Sequence, residues 1–152
     1  ASWISFELID IDIKLKPYWL DESIVRGLKC PYCHCKTELV EEEEIYGAVI
    51  YGRKYRRCLE DSSHYVGCYR SPNHLSLGRL ADDELRQRRM DAHEVLDALW
   101  TGLKPVFESR QKTYDVLSDL FEVPKEFFHI GMMDVAWCDY LINRIRQVYF
   151  KQ

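Results

Sequence analysis

The pair Cys30-Pro31-Tyr32-Cys33, answered 25 positions after Cys33 by Cys58 and then by His64, constrains this chain more than any other stretch. Two thiols three positions apart on a proline-tightened loop can grip one metal ion. A lone Cys-x-x-Cys is also a redox motif, but the second cluster, Cys58 to His64 with Cys68 just beyond, argues for metal. Zn²⁺ takes four tetrahedral S or N ligands, and two loops brought together by a β-hairpin supply them. The expected ligands are Cys30, Cys33, Cys58 and His64, with Cys68 competing for the fourth place and Cys35 a neighbour of the site or an alternate ligand. Such a closed set reads as structural; a catalytic zinc keeps an open position.

Six cysteines would allow three disulfides, but three of them fall within residues 30–35, too close for easy mutual bridging. That spacing favours reduced thiols and a cytoplasmic setting. With 47% apolar and 30% charged residues the chain can bury a true core. No apolar run approaches the ~20 residues that span a bilayer, and no charged-then-apolar leader is evident, so no membrane role is expected. The net charge of −4 speaks against general duplex binding, although the charges are segregated along the chain.

Residues 9–15 alternate apolar and polar, and Ile4, Phe6 and Leu8 do so on the opposite parity, predicting an N-terminal strand region with a bulge or turn at Leu8-Ile9. Pro17 ends it, and Asp21 or Ser23 opens a short helix. Residues 37–40 and 45–52 read as strands joined by tight turns, and 65–69 as a further short strand. Beyond Asn73 the period becomes helical. Asp82 is the expected N-cap of a helix burying Leu85, Ala92, Leu96 and Leu99 and ending near Gly102. A second helix is expected from Pro105 to before Pro124, then a single turn at 124–128, a break at His129-Ile130-Gly131, and a last helix capped by Asp134. The fold class predicted is α+β: an N-terminal extension (1–28), a zinc-ribbon-like β lobe (29–70) and a helical part with about three packed helices (71–152), one compact unit overall.

Two basic clusters stand out. Arg53, Lys54, Arg56 and Arg57 crowd the approach to Cys58, where they contact phosphates or offset Glu41–Glu44 across a hairpin. Arg86 and Arg89 share a helical face with His93. His93, Asp97, Arg86 and His129 could compose a hydrolytic centre, but no nucleophile elbow, phosphate loop or metal-nuclease signature accompanies them. The plainer account pairs Arg86 with Asp97 and leaves both histidines structural. The tryptophans read as core and interface material, and Cys138 as a buried small hydrophobe.

Cys30-Pro31-Tyr32-Cys33, Tyr46-Gly47, Tyr65-Val66-Gly67-Cys68, Leu77-Gly78-Arg79-Leu80-Ala81, Leu85-Arg86, His93, Asp97 with Trp100, and His129-Ile130-Gly131 together resemble the zinc-finger-containing domain family over about residues 30–140. This is a set of small, mostly uncharacterised proteins of bacteria and their phages. The family pattern has a second cysteine between the position of Cys58 and the Tyr-Val-Gly. This chain has none there, and His64 is the natural replacement, giving Cys₃His. The resemblance implies a zinc-bound fold, a cytosolic setting and mobile-element origin, and no particular activity. The function expected is a non-enzymatic, zinc-stabilised binding protein contacting nucleic acid through Arg53, Lys54, Arg56, Arg57, Arg86 and Arg89. The alternatives are a phage-type protein that engages a host or defence protein and, behind both, a His/Asp-dependent hydrolase.

Overall fold

The computed structural model describes residues 15–150. The alternating N-terminal run and Trp3 therefore lie outside the described residues, Leu15 excepted. Residues 16–19 strap across the helical part. The Trp137 indole N–H donates to the Lys16 carbonyl at 2.8 Å, and the Tyr18 hydroxyl donates to the Phe127 carbonyl. Tyr18, Trp19 and Trp137 meet edge to face with centroids 5.0–5.8 Å apart, the arrangement that aromatic quadrupoles favour. A short helix, α1 (Glu22–Val25), then delivers the chain to the first cysteine loop.

Three short strands follow: β1 (Thr37–Val40), β2 (Tyr55–Cys58) and β3 (Tyr65–Gly67), antiparallel in that order. The register sets Thr37 opposite Cys58 and Glu38 opposite Arg57, which pair at 3.1 Å. This sheet with its flanking loops is the zinc-ribbon-like lobe that the cysteine spacing predicts. Its buried core is small: Cys30, Cys58, Val66 and Leu80.

Between β1 and β2 the structure departs from the strand reading of residues 45–52. Glu42–Tyr46 form a helical turn, α2, closed by Gly47 in the left-handed region (φ 77°). Glu41 and Glu44 make a reciprocal capping box there. The loop beyond wraps around the Glu42 carboxylate, which is only 2% exposed and accepts the main-chain N–H groups of Ile50, Tyr51 and Arg53. A buried carboxylate needs such donors, and supplying them takes these residues out of any sheet.

Three helices compose the rest: α3 (Asp83–Asp97), α4 (Arg110–Leu120) and α5 (Val135–Tyr149). Asp82 and Asp134 cap α3 and α5, their carboxylates accepting from the N–H groups of Leu85 and Trp137 at 2.9 Å. α3 ends at Asp97, with turns running on to Trp100 before Gly102 (φ 90°). α4 begins at Arg110 rather than Pro105. Ser109 offers a side-chain oxygen to the Lys112 N–H (3.0 Å), whereas Pro105 can satisfy no orphan donor. Lys125–Phe127 form the expected single turn, of 3₁₀ type; the expected break at 129–131 is a second one, Ile130–Met132. α3 packs chiefly against α5, burying Leu85, Ala92, Leu96 and Leu99 with Cys138, Leu141 and Ile145.

Lobe and helices are joined by a backbone crossing. Gly78 lies so close to Gly131 that an added Cβ would stand 1.8 Å from the Gly131 carbonyl oxygen. The Arg79 N–H donates to that oxygen at 2.9 Å. Arg89 from α3 donates to the carbonyls of both Arg79 (2.8 Å) and Gly131 (2.7 Å), and Arg79 itself reaches the Met132 and Tyr18 carbonyls. No helix among the described residues is long and apolar enough to cross a membrane.

Candidate metal centre and adjoining cleft

The first cysteine loop is a tight turn: the His34 N–H donates to the Cys30 carbonyl and the Cys30 N–H to that of Cys35, both at 2.9 Å. His34 takes a left-handed φ of 61° to close it. The second loop leaves β2 at Cys58 and returns at His64, whose carbonyl accepts the Cys58 N–H. Together they bring one donor atom from each of Cys30, Cys33, Cys58 and His64 within 4.8 Å of one another. His64 Nδ1 stands 3.6 Å from Cys30 Sγ and 3.8 Å from Cys33 Sγ. Zinc–sulfur and zinc–nitrogen bonds of about 2.3 and 2.0 Å at the tetrahedral angle put S and N about 3.5 Å apart. These separations therefore suit one shared tetrahedral ion.

The surroundings suit thiolates. The Cys33 N–H points at Cys30 Sγ (3.5 Å), and the Glu60 and Asp61 N–H groups point at Cys58 Sγ (3.3 Å each). Without a cation, burial and the neighbouring Cys58 and Cys30 sulfurs push the Cys33 thiol up to about 12. Crowded sulfurs that resist ionising separately are stabilised together by a divalent ion. Asp61 lies 3.5 Å from His64 Nε2, leaving Nδ1 to face the sulfurs, as the outer partner of a ligating imidazole does. Tyr32 lies against the His64 ring, centroids 4.4 Å apart.

Cys68 takes no part in the four-donor group; it is buried beside β2, its N–H on the Lys54 carbonyl. Cys35, readable from the sequence as a neighbour or an alternate ligand, stays outside the four-donor group, its Sγ 3.3 Å from Cys58 Sγ. All six cysteines are free thiols, and Cys138 is fully buried on α5.

The predicted phosphate-binding residues differ in how far their charges are already engaged. Lys54 pairs with Glu41 (3.2 Å) and Arg57 with Glu38 and Glu44 (3.1 and 3.4 Å), so those two offset the acidic run. Arg53 donates to the Cys68 carbonyl, and Arg56 faces a groove with His74. Arg86 and Arg89 are on α3. Arg86 donates to the Ala81 and Ser63 carbonyls and pairs with Asp83 at 2.7 Å, not with Asp97, whose carboxylate receives the Trp100 indole N–H. Its guanidinium lies 4.1 Å over the Tyr65 ring.

Beside Tyr65 opens a cleft of about 420 Å³ between β3, α3, α4 and the second 3₁₀ turn. Arg86, Arg89, Arg110, His93 and His129 line it together with five tyrosines, and its lining holds no carboxylate, serine or cysteine. His93 and His129 thus line one cleft with Arg86, as a shared centre would require, while Asp97 is not part of that lining. Burial holds both imidazoles below the usual histidine range, and Arg110 reinforces it in each case, with Asp97 opposing at His93. Sequence reasoning missed Arg110 and the gathering of the five tyrosines, because the lining is assembled from stretches scattered between residues 46 and 131.

Among known families, one described as a zinc-finger-containing domain matches residues 26–148, a wider span than the motifs alone delimit. No curated protein and no solved structure matches the chain.

Proposed function

The chain belongs to the zinc-finger-containing domain family, and on that premise we propose that it is a non-enzymatic binding protein, held by one structural Zn²⁺, that contacts nucleic acid. Cys30, Cys33 and Cys58 as thiolates with His64 Nδ1 are the proposed ligands, and four protein donors leave no position open for catalysis. The observation that carries the reading is how the metal loops are clipped to the basic helix. The Tyr32 hydroxyl accepts the Asp82 N–H at 3.1 Å, and Arg86 donates to the Ser63 carbonyl at 3.0 Å. Ordering the ion thereby orders the start of α3, which presents Arg86 and Arg89 beside exposed and half-buried tyrosines. Such pairing of guanidinium and phenol suits single strands, whose backbone meets the cations while bases stack on rings.

Arg53 and Arg56 extend this surface in the proposal, and Lys54 and Arg57 contribute less because glutamates already hold them. A cleft lining without carboxylate, serine or cysteine supports binding over hydrolysis. The test is affinity for single- and double-stranded DNA and RNA against salt, with and without chelator. Two or three phosphate contacts predict a slope of log K on log salt of about −1.4 to −2 for single strands. Salt-independent binding, no binding, or binding indifferent to zinc removal would refute the reading.

A second reading, a module that engages a host or defence protein, is favoured by Val49, Ile50 and Tyr51. These consecutive large apolar residues are 65%, 58% and 55% exposed on the loop around Glu42. A nuclease-treated pull-down that still recovers one stoichiometric protein, lost on Ile50→Asp, would support it.

A further inference from the structure

Arg89 is a cation with an unusual position. Its terminal nitrogen is committed to the Arg79 and Gly131 carbonyls, its Nε has no hydrogen-bond partner, and no carboxylate pairs with it among the described residues. Burial pushes its pKa down to about 10. A buried cation without an anion costs stability unless something supplies the charge. Across the cleft, Arg110 is exposed at the first turn of α4, its guanidinium 4.4 Å over the Tyr114 ring and also without a carboxylate partner among the described residues. His93 and His129 share this lining, their imidazoles held below the usual histidine range by burial and by Arg110. A chain of net charge −4 has thus gathered three arginines and two histidines around one concavity and kept acids out of its lining.

The opposite wall is aromatic. Tyr46, Tyr55 and Tyr65 pack edge to face, with centroids 5.7–6.4 Å apart, and Tyr69 beside them is 49% exposed. A volume of about 420 Å³ falls within the roughly 300–1,000 Å³ of small-molecule sites. It is too large for a phosphate ion alone.

We infer that this cleft is a nucleotide site, taking a phosphate between Arg89, Arg110 and the two imidazoles and a base against the tyrosine wall. The chemistry is that of a 5′-mononucleotide, whether free or as the phosphorylated end of a single strand. The strand source rests on the nucleic-acid reading above; the site itself does not. Guanidinium groups with several N–H donors suit phosphate, and ring faces accept any base.

The test is calorimetric titration of the full, zinc-loaded chain with AMP, adenosine and inorganic phosphate, followed by AMP competition with a 5′-phosphorylated and an unphosphorylated oligothymidylate. AMP should bind at least tenfold more tightly than either adenosine or phosphate. Arg110→Gln, an exposed change that leaves the Gly131 crossing intact, should weaken AMP at least fivefold, and Tyr69→Ala should weaken it as well. Lys104→Gln, outside the cleft, is the control of equal charge. AMP no tighter than adenosine, phosphate as tight as AMP, or Arg110→Gln without effect overturns the inference. The phosphorylated oligonucleotide displacing AMP better than the unphosphorylated one establishes the strand end as the source. AMP binding with no oligonucleotide binding keeps the site and removes the nucleic-acid reading; oligonucleotide binding without AMP does the reverse.

Discussion

Replacing Gly78 with alanine tests the crossing that joins lobe and helices. The new Cβ would stand 1.8 Å from the Gly131 oxygen, 2.2 Å from its carbonyl carbon and 2.8 Å from the Met132 nitrogen, all main-chain atoms with no rotamer to yield. An ordinary carbon–oxygen contact is about 3.3 Å, so the two segments must part by about 1.5 Å. That breaks the 2.9 Å bond from the Arg79 N–H to the Gly131 carbonyl, and Arg89 can no longer span the Arg79 and Gly131 carbonyls together. One main-chain bond at about 1 kcal/mol and one charged bond at about 1.5–3 kcal/mol give a loss of about 2.5–4 kcal/mol. For a chain of this size that corresponds to a melting temperature lower by about 5–16 °C. Thermal unfolding of zinc-loaded protein, followed by circular dichroism, measures it. Gly131→Ala should cost less, since its Cβ meets the Leu77 carbonyl oxygen at 2.6 Å. The double variant should fall short of the sum, because segments already parted have less to lose. A Gly78→Ala melting point within 2 °C of the parent, or strict additivity, would refute the reasoning.

Cobalt(II) should load one ion per chain with thiolate charge-transfer absorption; Cys58→Ser should abolish or redshape that spectrum, whereas Cys35→Ser and Cys68→Ser should keep the stoichiometry. Burial opposes ionisation of Glu42, but the N–H groups of Tyr51, Arg53 and Ile50 overcome it and hold the carboxyl below the usual glutamate range. A depressed carboxyl stabilises the fold above its unfolded value and loses that contribution as pH falls through the folded one. Glu42→Gln should therefore melt lower than the parent at pH 7, with the gap closing below about pH 4, near the unfolded glutamate value; a gap that stays constant with pH would count against the ionised carboxylate. Ser109→Ala should cost about 1 kcal/mol in denaturant unfolding and Pro105→Ala much less, and the reverse order would restore the earlier helix start.

What the sequence made legible follows from how local each signal is. The cysteine loops and the caps at Asp82 and Asp134 are short-range chemistry, and they sit where spacing placed them. So does the buried face of α3. Residues 45–52 were misread because β-branched and aromatic side chains do favour strands, yet the deciding group was a glutamate several positions upstream. A row of four glutamates gives no sign that the second alone is buried. Pro105 misled similarly: proline is compatible with a helix start, but Ser109 can hydrogen-bond one. The motifs Leu77-Gly78-Arg79 and His129-Ile130-Gly131 were visible as strings, though their contact is a fact of tertiary structure. The cleft was least legible, since Tyr46, Tyr65, Arg89, Arg110 and His129 converge only after every helix is placed.

The bonds from Tyr32 to Asp82 and from Arg86 to Ser63 mean that the metal loops end on the helical part rather than on themselves. An excised peptide of residues 29–70 would carry its four donors but neither of those struts, and would expose Val66 where Leu80 now covers it. Engineers wishing to transplant the finger would need to bring the first turn of α3 along with it. By the same token, a chelator that loosens the His64 loop should be felt directly at Arg86, which is bonded to it.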